Sequence, residues 1–179
     1  GARPSLVALD DEYLVAFQHE GSGRTEVWVA RIDAGGNAVP GSRSRLEDPF
    51  EAHSPTAVVD PTRSTAAVAW LRPATSGLPQ VTVGWFARDG ARQGSGITSG
   101  RAASDRVAAA WTGQHLVLGW HRDDAGTSVN AIVLGSAPVP PETALVASER
   151  VEIPHATDSI SRPALSWNRD SEEIGMAYG

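Results

Sequence analysis

"RPSLVALDDEYLVAF", residues 3–17, sets a short apolar run, an interruption of two aspartates, and a second apolar run that closes on an aromatic. Apolar and polar residues alternate too tightly for a helix, and the acidic pair supplies a turn, so the stretch reads as two strands of a hairpin. The same phrase returns as "SPTAVVDPTRSTAAVAW" (residues 54–70) and "DRVAAAWTGQHLVLGW" (residues 105–120). It returns once more, shortened, as "RPALSWNRDSEEIGMAY" (residues 162–178). The closing aromatics are Phe17, Trp70, Trp120 and Tyr178, separated by 53, 50 and 58 positions.

Aligning the echoes defines a unit. A first strand covers residues 5–9, 56–59, 106–111 and 164–167; a second covers 13–18, 65–71, 115–121 and 173–178. A third follows in three of the four units, as "TEVWVARID", "QVTVGWFARDG" and "TSVNAIVLG". A weaker fourth strand is expected near residues 42–46, 94–98 and 144–153. The first two turns before it contain "DAGGN" and "DG", which supply the positive φ that tight hairpins require. No stretch sustains a helical stripe over ten or more residues.

A period near 50 residues with four strands per unit is the signature of propeller blades. The pattern of Arg/Ser-Pro, apolar strand, polar turn and aromatic-ended strand resembles the degenerate propeller repeats of secreted bacterial proteins. The resemblance carries no Trp-Asp signature, kelch double glycine or sialidase box. It implies an all-β β-propeller of about three and a half four-stranded blades in one domain. The blades fall at residues 3–53, 54–100 and 101–161, with a half blade at 162–179. Three and a half blades do not close a ring, and a half blade leaves its second strand as a raw edge, which native sheets avoid. The expected partner is therefore a second chain or a further segment that completes the propeller. Simple pairing of two identical chains puts a first and second strand where a third and fourth are needed.

Composition narrows the function classes. The 179 residues are 41% apolar and 20% charged, a globular balance. No apolar run approaches the ~18 residues of a membrane span. There are no cysteines, which removes disulfides and thiolate metal sites. All fifteen basic residues are arginine, as codon bias in a GC-rich genome produces, and the net charge is −6 with no basic stripe. Nucleic acid is thereby excluded as an expected partner.

In a propeller, the loops from second to third strand share one face with the connections into each first strand. His19 and His121 end second strands, and His53 and His155 lie in the connections. Four of the five histidines thus map to one face; His115 falls on the other. Glu20, Asp123 and Asp158 accompany them, as does Glu51, and Arg72 and Arg122 occupy matching positions. The candidate ligand-binding set is His19, Glu20, His53, Arg72, His121, Arg122, Asp123, His155 and Asp158. No HxH or HExxH spacing or EF-hand ladder is present, so no metal or other cofactor is expected. "DAGGN" and "RDDAG" read as turns. No Gly-x-Ser-x-Gly elbow marks a nucleophile. The six tryptophans sit on strands and read as packing between sheets.

The leading expectation is a non-catalytic recognition module of the extracellular space or cell envelope, presenting polar loops on one propeller face to a glycan or protein. One alternative is a hydrolase or lyase whose active site at the central opening is completed by further blades. Another is a structural assembly partner that docks through its open edge strand.

Overall fold

The structure, a computed structural model, describes residues 4–21, 23–46, 51–60, 65–73, 79–101, 106–113, 115–123, 130–137 and 163–177. These form thirteen strands and no helix. The first sheet contains β1 (Ser5–Leu9), β2 (Glu12–Gly21), β3 (Arg24–Asp33) and β4 (Ser44–Arg45). The second contains β5 (His53–Asp60), β6 (Thr65–Arg72), β7 (Gln80–Phe86) and β8 (Arg92–Arg101). The third has β9 (Val107–Trp111), β10 (Leu116–Asp123) and β11 (Asn130–Ala137); the fourth has β12 (Ala164–Asn168) and β13 (Glu173–Ala177). Every sheet is antiparallel and ordered as the chain runs. The fourth strand expected at residues 144–153 lies outside the described residues. No helix here is long and apolar enough to cross a membrane.

The first strands of the four sheets stand side by side: β1 against β5, β5 against β9, β9 against β12. Short polar side chains stitch this row. Ser5 Oγ accepts the Ala57 amide at 2.9 Å, and Thr56 Oγ1 donates to the Val107 carbonyl at 2.7 Å. The register Ser5↔Ala16 matches Thr56↔Ala69, so Ser5 and Thr56 are equivalent positions of the repeat. A hydroxyl at the start of each of these two strands thus ties it to the next.

Pleating then sorts the side chains onto two faces. Leu9, Leu14, Ala16, Val27 and Val29 of the first sheet pack with Ala57, Val68, Trp70 and Phe86 of the second. Ala67, Ala69, Leu71, Val83 and Trp85 on the other face of the second sheet pack with Val107, Leu116, Leu118 and Trp120 of the third. Trp70 and Trp120 are fully buried, each in the interface with the preceding sheet. Such a side chain removes some 200 Å² of largely apolar surface from water and anchors its interface. Trp28, in contrast to its expected core role, is only half-buried, and so are Trp111 and Trp167.

The third sheet keeps this pattern in the same register. Thr56↔Ala69 corresponds to Ala108↔Gly119, which puts Trp120 in the place of Trp70. A one-residue slip would reverse every side chain of β10 and turn Trp120 away from the second sheet.

The Trp70 interface holds two positions with opposite mutational signs. A Cβ at Gly84 would lie 3.2 Å from two ring carbons of Trp70 and 3.3 Å from Phe86. Two residues earlier on the same strand, the Thr82 hydroxyl is buried without a hydrogen-bond partner. Gly84→Val is expected to cost about 1–3 kcal/mol by overpacking. Thr82→Val keeps the branched shape and removes the buried hydroxyl, and should gain about 1 kcal/mol. Thermal unfolding checks both, at roughly 2–4 °C per kcal/mol for a chain of this size.

Candidate functional site

The ends of β2, β6 and β10 and the starts of β1, β5, β9 and β12 lie at one end of their sheets. His19 and Glu20 close β2, Arg72 closes β6, and His53 opens β5 opposite Leu71. His121, Arg122 and Asp123 close β10, paired with Ile132, Ala131 and Asn130. Seven of the nine expected residues are therefore at this end by backbone position. His155 and Asp158 lie outside the described residues.

Side-chain direction divides the set. Gln18 faces the second sheet, where its Oε1 accepts the Ser54 amide at 3.4 Å. His19, one residue on, points the opposite way and meets Trp28 edge-on, with ring centroids 6.2 Å apart. His19 and His53 share a rim, but His19 points to the face of the first sheet away from the second sheet, which carries His53.

Two local arrangements emerge. At the β5 start, Ser54 adopts φ 57°, a left-handed conformation that is uncommon for a serine and disfavoured before a proline. The β5–β6 register shifts between His53 and Thr56, and His53 Nδ1 lies 3.4 Å from Ser54 Oγ. Bulges and strained residues of this kind re-aim side chains at functional rims.

The second arrangement surrounds Trp28. Its Nε1 donates to Glu26 Oε2 at 2.9 Å, and Arg45 donates to Glu26 Oε1 at 2.7 Å. The Arg43 guanidinium lies 4.3 Å from the Trp28 ring and 5.6 Å from that of Phe17, cation–π stacking distances. Hydrogen bonding from Arg45 first, and from Trp28 second, holds the Glu26 carboxyl below the usual glutamate range. A shallow depression of ≈ 430 Å³ adjoins it, lined by Glu20, Gly21, Gly23, Arg24 and Thr25.

No known family profile matches the chain, and no curated protein matches it in sequence. A solved structure shares its fold. The crystal structure of a thermostable family-43 glycoside hydrolase superposes with a TM-score of 0.56 at 10% identity, over 98% of this chain and 64% of that one. The chain thus spans less than two thirds of that structure's length.

The opposite end of the sheets carries features the sequence reading passed over as turns. A cleft of ≈ 460 Å³ lies among Leu9, Asp11, Glu12, Arg31, Arg88 and Asp89. Ion pairs cross it: Arg88 with Asp10 at 2.9 Å and Asp11 at 3.3 Å, and Arg31 with Glu12 at 3.0 Å. The Arg88 pairs tie the first sheet to the turn after β7, and the three carboxylates outnumber the two arginines. The "DAGGN" segment is a turn as expected: Asp33 accepts the Asn37 amide at 2.8 Å, and that bond holds its carboxyl below the usual aspartate range. "RDDAG" runs outside the described residues. Among the described residues no cluster of three or more His, Asp or Glu side chains is arranged to hold a metal ion.

Of the residues now assembled around Trp28, only His19 was a candidate from sequence. Arg43 precedes the short β4 and Arg45 ends it, and nothing in their spacing signals that one stacks on Trp28 and the other binds Glu26. The lowered Glu26 pKa fixes a pH dependence. Its pairing contributes in full above the ordinary glutamate range and is lost only as pH falls through the depressed midpoint. An NMR titration of the Glu26 side chain should show that depressed midpoint, and Arg45→Ala should move it back toward the ordinary value.

Proposed function

We propose that the chain is a set of successive propeller blades forming a non-catalytic carbohydrate-recognition module, with the ligand at the end carrying His53, Arg72 and the β2–β3 and β10–β11 hairpins. The observation that carries this reading is the bulged, left-handed start of β5, which sets His53 and Ser54 at the mouth of the row of first strands. The same turn brings the Ser54 amide to Gln18 Oε1 of the first sheet at 3.4 Å, so the strained start is held from both sheets. The likeness to a glycoside hydrolase supports sugar as the ligand class. The side-by-side first strands and the chain-ordered sheets support the propeller.

We take binding without turnover as the leading reading on the chemistry of the row of first strands. Glycoside hydrolysis uses two carboxyl groups about 5–10 Å apart across the bond being cut. The four first strands contribute one carboxylate, Asp60, which is buried at the opposite end. The alternative, a hydrolase completed by further blades, draws on the same likeness, and the same measurements separate the two.

An array of neutral and uronate-bearing oligosaccharides should retain the protein. His53→Ala with Arg72→Ala should weaken retention at least tenfold while the unfolding temperature stays within a few degrees. Reducing-sugar release from the same oligosaccharides, abolished by His53→Ala, would replace recognition with hydrolysis.

A further inference from the structure

The outer face of the first sheet repeats a surface that is buried elsewhere in the molecule. Through the registers Ser5↔Ala16 and Thr56↔Ala69, Leu6 corresponds to Ala57, Val15 to Val68, and Phe17 to Trp70. In the second sheet those positions pack against the first sheet, and Trp70 is 0% exposed. In the third sheet the corresponding Ala109, Leu118 and Trp120 pack against the second. On the first sheet the same face holds Leu6, 54% exposed, and Tyr13, 39% exposed, beside Phe17 and Trp28.

An arginine marks the face as an interface with a missing half. In the second sheet, Arg92 of the fourth strand lies 5.7 Å from the Trp70 ring and donates to the Leu46 carbonyl of the first sheet at 2.6 Å. Arg43, just before the fourth strand of the first sheet, lies 5.6 Å from the Phe17 ring. The two differ in register, since Arg92 pairs with Phe86 while Arg43 precedes β4. Both place a guanidinium over the second-strand aromatic of their own sheet, on the side of the preceding sheet. Arg92 there spends a donor on a neighbour; Arg43 has no hydrogen-bond or ion-pair partner among the described residues.

We infer that the outer face of the first sheet is the docking surface for one further antiparallel sheet of this same repeat, brought by a polypeptide partner outside residues 1–179. That partner presents an apolar face to Phe17 and Tyr13 and an acceptor oxygen near its fourth strand to Arg43. The inference rests on the repeat register and stands apart from the ligand reading, which concerns the end of the sheets. A sheet suits this face because the row along β1 and β2 from Leu6 to Phe17 is apolar apart from the Tyr13 hydroxyl, with His19, Glu26, Arg43 and Arg45 gathered around Trp28 at one end.

The first sheet is itself a sheet of this type, so it serves as the probe. In a tandem protein, a duplicate of residues 3–52 precedes Arg3 of the intact chain. Hydroxyl-radical labelling of the original Leu6 and Tyr13 should fall at least fivefold, with the labelling transferred to the duplicate. Arg43→Ala at the original position should lower the unfolding temperature of the tandem by several degrees and leave that of the 179-residue chain within one or two. A tandem that labels the original Leu6 and Tyr13 as before, or whose duplicate shows no amide protection, overturns the inference. So does a concentration-dependent dimer of the 179-residue chain that Phe17→Asp abolishes, since a second copy would then be the occupant.

Discussion

The second and third sheets each hide the aromatic of their second strand against the sheet before, and that burial is the constraint on which the rest of the molecule depends. Isolated two- to four-stranded sheets are marginal in water, because one face has nothing to cover it. Trp70 and Trp120 are where coverage becomes energetically decisive. Both are fully buried, and their indole nitrogens have no hydrogen-bond partner among the described residues, so packing must outweigh the desolvation of a donor in each case. The surroundings are shaped accordingly. Gly84 yields its side-chain space to the Trp70 ring, and the unbroken pairing of β9 with β10 keeps Trp120 on the face toward the second sheet.

The row of first strands solves a different problem. Neighbouring sheets approach there without pairing as strands, so their backbone groups need other partners. Ser5 and Thr56 supply them, one accepting an amide and the other donating to a carbonyl. Short hydroxyl side chains suit this role because they reach the adjacent strand without holding the sheets apart. A rigid row of this kind is also what lets the ends of the sheets act as a platform. The bulge at His53 and the left-handed Ser54 are tolerable because the strand behind them is fixed on both sides.

The strands were legible in the sequence because alternation and turn residues are local signals. Residues 5–9 were read as the first strand and β1 is Ser5–Leu9; the "DG" turn was read after the third strand, and Gly90 has φ 77°. The end of the sheets to which His19, His53, Arg72 and His121 belong was also legible, since it follows from strand order alone. Which way each side chain points was not. His19 and Gln18 are neighbours in sequence and lie on opposite faces, so sharing a rim did not mean sharing a site. The Trp28 cluster was illegible for a related reason. Its partners come from β3 and from the segment at β4, and the contact between an arginine and a ring two strands away leaves no mark in spacing.

The uniform use of arginine acquires a structural meaning at those rings. Codon bias accounts for fifteen arginines and no lysine, yet it does not account for where Arg43 and Arg92 sit. A guanidinium is planar, so it can lie flat on an aromatic face while its N–H groups point outward in the plane of the stack. Arg92 does both at once, covering Trp70 and donating to Leu46 across the interface. An ammonium is a compact, strongly hydrated charge; it would satisfy the carbonyl or approach the ring, but would not seal the ring's edge. Arg43 likewise stands over two rings at once, 5.6 Å from that of Phe17 and 4.3 Å from that of Trp28, and so braces both aromatics at the edge of the first sheet. The contact at Trp70 shows what such stacking achieves between two sheets: one guanidinium serves a ring and a neighbour's carbonyl together.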